Sequence, residues 1–240
     1  LKSTNPKIII NLVSNTNVDN CENFPKKAFN VNAFFVEKLN KILIKTKNNC
    51  YFIHFSTDQI YNGIGPHKEN KNIHNINIYS KSKFDGEKKI TYKKSIILRT
   101  NFFGKSLIKK DSFTDWIFKN LNNKKKIKLF YDIKFSPLSI KTICKILILV
   151  IKKKITGTYN LGSKNGMSKY EFGLKFAKTL NFKTNLLIKS SVNDKILKAK
   201  RPYDMTLNCK KIEKALNINL PSLNKEISLS IKEYSHEQKI

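Results

Sequence analysis

One stretch, from Cys50 to Gly104, limits most strongly what this chain can fold into. It opens with an apolar run, Tyr51 to Phe55, that is rich in β-branched and aromatic residues and ends abruptly at Ser-Thr-Asp. This pattern is typical of a buried strand that delivers hydroxyl groups to its carboxyl end. A second apolar run, Ser95 to Thr100, follows a helical segment. Strand, helix and strand in this order predict an α/β protein with a parallel sheet, in which ligands bind at the carboxyl ends of the strands.

The helical segment between the two strands carries Tyr79 and, four residues later, Lys83. This spacing stacks a phenol and an ammonium group on one helix face. A phenol has a pKa of about 10 and is a poor acid at neutral pH, unless a nearby cation such as Lys83 lowers that pKa. A hydroxyl of Thr57 or Ser56 is expected to hold a substrate carbonyl against the Tyr79 proton, ready for a hydride from a reduced nicotinamide. Together these groups favour a carbonyl reductase.

The order of these elements is more specific than the Tyr-x-x-x-Lys pair, which arises about once or twice by chance in a chain with 9 Tyr and 47 Lys and Arg. The order resembles that of the extended short-chain dehydrogenase/reductase family. The segments HFSTDQIYNG and NIYSKSKFDGE are most similar to its dTDP-4-dehydrorhamnose reductase branch. The resemblance implies the roles above for Thr57, Tyr79 and Lys83. It further implies that Ser56 and Asp58 contact the substrate.

The resemblance also implies residues that hold the cofactor, which is NADPH or NADH. The loop NLVSNTNVD and the segment AFNVNAFF are similar to family segments close to the cofactor, which points to Ser14 and Asn32 beside Tyr79 and Lys83. The loop departs from the family pattern at its start, where Leu-Val replaces the small residues expected at a close backbone approach. The choice between NADPH and NADH stays open, because the residue that reads the ribose 2′ position is not found in this chain.

The substrate side of the site is implied by two later segments. RTNFFG resembles the place where a sugar nucleotide meets the sheet, with Asn101 near the phosphates and Phe102 beside the sugar. RPYD resembles the segment in which an arginine, here Arg201, reaches the substrate diphosphate. A guanidinium group suits phosphate because it donates two parallel hydrogen bonds.

The implied fold is a Rossmann-like parallel sheet that lacks its first strands, with a smaller α+β substrate-binding domain. Residues 1–103 and 136–163 are assigned to the partial NAD(P)-binding domain, and residues 104–135 and 164–240 to the substrate domain. A dinucleotide-binding fold begins with a strand and a Gly-x-x-Gly-x-x-Gly turn, and none of the eight glycines forms that pattern. About sixty residues of such a fold are therefore expected upstream of this chain, and cofactor binding by the chain alone is expected to be poor.

Two elements ahead of Cys50 are predicted from periodicity. The continuous apolar run from Ile8 to Val13 predicts a strand that is buried on both faces. Pro25 is suited to a first helical turn, and the apolar residues after it recur at spacings of three and four. The predicted core-facing stripe consists of Ala28, Val31, Phe35, Leu39, Ile42 and Leu43.

The net charge of +30 first suggests nucleic acid or an anionic membrane as a partner. The lysines are scattered along a chain that is also crowded with Asn and Ile, and only Arg99 and Arg201 are arginines. The charge is therefore interpreted as compositional drift, with no nucleic acid partner expected. No apolar run approaches the roughly 20 residues of a membrane span, and no signal-peptide pattern is present, which favours a cytoplasmic protein. The four cysteines lack Cys-x-x-Cys spacing, so no disulfide framework or metal site is expected.

The predicted activity is NAD(P)H-dependent reduction of a nucleotide-linked 4-keto-6-deoxy sugar, in nucleotide-sugar and cell-surface polysaccharide biosynthesis, with a homodimer as one option. An epimerase or dehydratase of the same family is the first alternative. Dehydratases are expected to carry an acidic and a basic residue after the Ser/Thr, and Asp58-Gln59 supplies only the first. The second alternative is a non-catalytic, reductase-like regulatory subunit.

Overall fold

The computed structural model describes residues 4–46, 49–108 and 111–234. The strands in these ranges are β1 (Ile8–Asn11), β2 (Tyr51–Thr57), β3 (Ser95–Thr100), β4 (Phe102–Phe103), β5 (Ile127–Phe130), β6 (Lys134–Phe135), β7 (Leu138–Ser139), β8 (Gly157–Leu161), β9 (Met167–Ser168) and β10 (Leu187–Ser190). The α-helices are α1 (Val18–Asn23), α2 (Pro25–Phe29), α3 (Phe35–Lys45), α4 (Ile78–Lys88), α5 (Phe113–Asn122), α6 (Ile140–Lys153), α7 (Lys169–Thr179), α8 (Lys210–Leu216) and α9 (Leu223–Ser230).

A parallel sheet in the order β1, β2, β3, β8 forms the centre, which confirms the predicted α/β fold. Every residue of β2 is buried, because helices cover both faces of this strand. On one face Phe52 belongs to the same buried cluster as Leu43 of α3, and on the other Ile53 shares a cluster with Ile146 of α6. The parallel register pairs Thr57 with Thr100, so β2 and β3 end side by side.

Residues 25–45 form one helical run, but its buried face differs from the predicted stripe. A π turn at Asn30–Phe34 separates α2 from α3. A π turn contains about one residue more than an α turn, so it rotates every later side chain around the axis. Phe35 and Ile42, predicted as buried, are 40% and 43% exposed, whereas Asn32 and Val36 are buried. The other residues of the predicted stripe are buried or half-buried.

The prediction that the first strand is buried on both faces is wrong. Within the described ranges, β1 pairs only with β2 and forms an edge of the sheet. Its residues Ile8 and Ile10 are 37% and 39% exposed, and Leu12 beyond it is also exposed. An edge strand has a neighbour on one side only, and its sequence alone does not reveal this position.

A second cluster of buried apolar residues lies outside the sheet, around Phe103, Phe118 and Phe172. It collects side chains of α5, α7 and α9 and of the parallel pair β5 and β10. The predicted α+β unit corresponds to this cluster, and its boundaries remain a prediction. One part differs from the prediction, because Ile212 and Leu216 of α8 pack with the sheet-side core.

Candidate active site

A cavity of about 410 Å³ opens at the carboxyl ends of β2 and β3. It brings together most of the side chains that the sequence analysis selected. They are Ser14, Ser56, Thr57, Asp58, Tyr79, Lys83, Asn101 and Phe102. Asn32 lies behind this wall, hydrogen-bonded to Ser14. Arg201 lies outside it and lines a second cavity of about 700 Å³.

Tyr79 lies in the first turn of α4, which the Asn77 side chain caps by accepting from the backbone N–H of Ser80 at 2.8 Å. The phenol is buried. Burial raises the pKa of Tyr79 to about 12, an interaction with Thr57 lowers it, and the charge of Asp58 raises it further. The phenol is therefore protonated at neutral pH and has a proton to give.

Lys83 follows Tyr79 by one helical turn, but its ammonium group donates to the backbone carbonyl of Phe55 at 2.7 Å. The expected lowering of the Tyr79 pKa by Lys83 is thus wrong for this structure, because burial dominates at the phenol. Burial also lowers the pKa of Lys83 to about 8, against the charge of Glu87. An amine with this pKa exchanges protons readily near neutral pH.

The adjacent hydroxyls Ser56 and Thr57 have different partners, because successive side chains of a strand point to opposite faces. Ser56 donates to the buried carboxylate of Glu87. The same carboxylate accepts from Arg99 Nη2 at 2.7 Å and from Arg99 Nε at 3.0 Å. Thr57 is the hydroxyl that interacts with Tyr79. The structure therefore favours Thr57 over Ser56 as the carbonyl partner beside the phenol.

Asp58 and Asn101 form a polar pair on the wall of the cavity. Asn101 Nδ2 donates to Asp58 Oδ2 at 2.9 Å. Asp58 is buried, and burial raises its pKa to about 6, although the hydrogen bonds from Asn101 and Thr57 lower it. Phe102 is half exposed and presents an aromatic surface to the same cavity. An aromatic face beside a hydrogen-bond acceptor suits a sugar ring and its hydroxyls.

Asn32 ties the loop after β1 to helix α4. Its Oδ1 accepts from Ser14 Oγ at 3.0 Å and from the backbone N–H of Asn15 at 2.8 Å, and its Nδ2 donates to Ser82 Oγ at 3.0 Å. Gly86 of α4 allows this helix to pack closely against the π turn. A Cβ atom at position 86 would lie only 2.2 Å from the backbone oxygen of Asn32. The π turn therefore positions one cavity wall against the helix that carries the phenol.

Arg201 is anchored to the first half of the chain. Its Nη2 donates to Asp19 Oδ2 at 2.8 Å, and its Nη1 donates to the carbonyl of Ala199 at 2.7 Å. Asp19 Oδ1 in turn accepts from the backbone N–H of Ala199 at 3.0 Å. The guanidinium group also lines the 700 Å³ cavity, together with lysine side chains. These are Lys195, Lys198 and Lys200.

Two side chains that interact with residues of the site were missed by the sequence analysis. Glu87 follows Lys83 by four residues, as Lys83 follows Tyr79. The same helical spacing therefore predicts that Glu87 lies next to Lys83 on one helix face. Lys169 lies over two rings, with its Nζ 5.5 Å from the centroid of Phe113 and 6.0 Å from that of Phe135. No local signal distinguishes this lysine from the many others in the chain.

In residues 4–46, 49–108 and 111–234, no group of three or more His, Cys, Asp or Glu side chains is placed to hold a metal ion. No helix in these ranges combines the length and apolarity needed to cross a membrane. The four cysteines are all free thiols.

Comparison with known proteins gives consistent matches along most of the chain. A family model described as RmlD substrate binding domain matches residues 1–236. The dTDP-4-dehydrorhamnose reductase of Aggregatibacter actinomycetemcomitans is 29% identical over 234 residues, which cover 91% of this chain and 78% of that protein. The probable low-salt glycan biosynthesis reductase Agl14 of Haloferax volcanii is 25% identical over 228 residues, covering 92% of this chain and 75% of that protein.

Solved structures show the same fold. A dTDP-4-dehydrorhamnose reductase from Bacillus anthracis, solved in complex with NADP, superposes with a TM-score of 0.88 at 23% identity. The match covers 97% of this chain and 82% of that one. At this identity the likeness concerns the fold alone.

Proposed function

The chain belongs to the RmlD substrate binding domain family, and from this membership we propose that it reduces the keto group of a nucleotide-linked 4-keto-6-deoxy sugar with NADPH or NADH. One observation carries the proposal. Thr57, Tyr79 and Lys83 line the same cavity at the carboxyl ends of the central strands. Relatives named as reductases of dehydrorhamnose and of glycan biosynthesis support the substrate class. The product then enters nucleotide-sugar and cell-surface polysaccharide biosynthesis.

In the proposed reaction Tyr79 is the proton donor. Thr57 and Tyr79 hydrogen-bond the substrate carbonyl oxygen from one side of the cavity. As the carbonyl carbon is reduced, negative charge grows on this oxygen until it is more basic than a phenolate, and the Tyr79 proton transfers to it. Lys83 then returns a proton to the phenolate, a role to which its pKa of about 8 is suited.

The cavity fits the nicotinamide and ribose end of the cofactor. Lys83 uses one of its three N–H donors on Phe55 and has two left for ribose hydroxyls. Ser14, held by Asn32, lines the same cavity and supplies a further hydroxyl. When bound, the nicotinamide supplies the hydride. The side chains of the protein orient the substrate and handle the proton.

The substrate is proposed to lie with its sugar against Ser56, Asp58, Asn101 and Phe102 and its diphosphate toward Arg201. A carboxylate and an amide orient sugar hydroxyls, whereas a guanidinium group matches phosphate. A cytoplasmic location and a homodimer are also part of the proposal.

The proposal is tested with protein expressed from its complete gene and a dTDP-linked 4-keto-6-deoxy sugar, with oxidation of NADPH or NADH as the readout. Tyr79→Phe keeps the ring and removes the proton, so we expect kcat to fall by roughly 100-fold or more. Tyr131→Phe makes the same change at an exposed tyrosine and serves as the matched control.

Retention of full turnover by Tyr79→Phe would contradict the proposed role. Conversion of the sugar without net nicotinamide oxidation would instead indicate an epimerase or dehydratase. Absence of turnover with every keto sugar, together with a stoichiometric protein partner, would indicate a regulatory subunit.

A further inference from the structure

Arg99 and Glu87 form a buried ion pair beside the candidate active site. Arg99 belongs to β3 and is the register partner of Ser56 on β2, and both side chains donate to the carboxylate of Glu87 on α4. Arg99 Nη2 and Nε lie 2.7 and 3.0 Å from Glu87 Oε2. Arg99 Nε also lies 3.2 Å from Oε1, which accepts from Ser56 as well. Both oxygens of this carboxylate are therefore occupied.

The other side of the Arg99 guanidinium group is also fixed. Its Nη1 donates to the Tyr61 hydroxyl at 2.8 Å and to the backbone carbonyl of Glu69 at 3.1 Å. The Tyr61 ring lies against the guanidinium group, with 5.5 Å between its centroid and Arg99 Cζ. These contacts hold the planar fork in the direction of the Glu87 carboxylate.

Lys83 has two acceptors within reach, a carbonyl and a carboxylate. Glu87 follows it by one helical turn on the same face. Lys83 nevertheless donates to the backbone carbonyl of Phe55 at 2.7 Å, while Glu87 forms its ion pair with Arg99. A charged acceptor binds an ammonium group more strongly than a neutral carbonyl does. The carboxylate would therefore attract Lys83 if the guanidinium group did not already hold it.

The choice of acceptor decides where the ammonium group of Lys83 lies. Of the described residues, Lys83 and Phe55 line the 410 Å³ cavity, whereas Glu87 and Arg99 do not. On the Phe55 carbonyl, the ammonium group is at the cavity wall, where the proposed reaction uses it. Paired with Glu87, it would leave this position and hold its proton more tightly, because a carboxylate stabilises the charged form.

We propose that Arg99 is a positioning residue for the reduction, which holds the carboxylate of Glu87 and thereby keeps the ammonium group of Lys83 at the cavity wall. The inference rests on the proposed function, because it takes Lys83 to act on the cofactor ribose and on the phenolate. Arg99 itself acts only through Glu87. Its role is to remove a competitor for Lys83.

Substitutions in protein expressed from its complete gene test the proposal. Arg99→Met releases the carboxylate, so a crystal structure of this variant should show an ion pair between Lys83 and Glu87. We expect roughly tenfold weaker calorimetric binding of NADPH or NADH, whichever the unchanged protein oxidises. The alkaline limb of the pH profile of kcat should move to higher pH by roughly one unit or more.

The double variant Arg99→Met/Glu87→Met is the decisive comparison. It removes the competing carboxylate together with the arginine, and apolar replacement of both members of a buried ion pair is often tolerated. Cofactor affinity and the pH profile should therefore return most of the way to those of the unchanged protein. A purely structural role of Arg99 predicts no such rescue.

Two further variants complete the test. Tyr61→Phe removes one contact of Arg99 and leaves its fork on Glu87, so it should alter neither cofactor affinity nor the pH profile. Arg99→Lys keeps the charge with fewer donors and should cause a smaller shift in the same direction as Arg99→Met. It carries the test if Arg99→Met does not fold.

Unchanged cofactor affinity and pH dependence in the folded variants of Arg99 would overturn the inference and leave the proposed function intact. A double variant as impaired as Arg99→Met would also overturn it. Absence of cofactor binding and of turnover in the unchanged protein would count against the proposed function. The crystal structure of Arg99→Met tests the inference separately, since Lys83 still bound to the Phe55 carbonyl in that variant would contradict it.

Discussion

Asp58 experiences two opposing influences on its charge. Burial disfavours the carboxylate form, while hydrogen bonds from Asn101 and Thr57 and the charge of Lys169 favour it. The balance raises the pKa of Asp58 from 3.8 to about 6. A sugar hydroxyl beside this group therefore meets an ionised acceptor at neutral pH and a neutral carboxylic acid in mild acid.

This shift predicts how the free energy of unfolding depends on pH. Because the folded pKa of Asp58 lies above the unfolded value, the folded protein binds more protons between pH 3.8 and about 6, and its stability falls as pH rises through this window. We expect the free energy of unfolding of Asp58→Asn to decrease by roughly 2–3 kcal/mol less over this pH window than that of the unchanged protein. Urea unfolding at several pH values measures this free energy. Asp85→Asn, at a half-buried carboxylate on α4, is the control, and identical pH profiles for all three proteins would contradict the prediction.

At the scale of elements, Gly86 is the point at which α4 and the π turn approach most closely. We expect Gly86→Ala to destabilise the protein by roughly 1–3 kcal/mol, although Ala usually stabilises a helix relative to Gly. The added methyl group meets the backbone oxygen of Asn32, which cannot move without the whole turn. Urea unfolding gives the stability, and turnover should fall because Tyr79 shifts with the helix.

Gly173→Ala is a matched control for this prediction. It makes the same change inside α7, where the added Cβ atom would meet the end of the Leu129 side chain at 2.2 Å. A side chain can rotate away, so the cost should be smaller than at Gly86. A loss at Gly86 no greater than at Gly173 would show that the close helix crossing tolerates a side chain.

The elements around the phenol could be predicted from the sequence because they depend on local patterns. Apolar runs, their polar ends and the spacing of Tyr79 and Lys83 are all properties of short segments. The π turn could not be predicted, because it depends on Asn32 bonding to residues of a loop and of α4. The exposure of β1 likewise depends on which strands lie beside it. Lys169 was missed because nothing in its own segment sets it apart from the many other lysines of the chain.

For the 240-residue chain expressed by itself, the exposed edge of the sheet predicts a tendency to self-associate. Ile8 and Ile10 present apolar side chains on β1, and within the described ranges the outer side of this strand has no partner strand. Such edges are templates for pairing with another chain. We expect Ile10→Lys to reduce concentration-dependent light scattering.

The control for the edge prediction is Ile148→Lys, which places the same charge at an exposed isoleucine of α6, away from the edge. Because both variants gain one positive charge, general repulsion affects them equally. Equal scattering by the two variants would show that the edge has no special part in self-association.

The two arginines stand out in a chain whose other 45 of 47 basic side chains are lysines. Arg99 reaches Glu87, the Tyr61 hydroxyl and the Glu69 carbonyl at the same time, and Arg201 joins Asp19 to the chain beside it. An ammonium group on a lysine stem cannot span either set of acceptors. The planar fork thus lets one side chain join several acceptors at once at both positions. Replacement of either arginine by lysine would keep the charge and lose the shape that these contacts need.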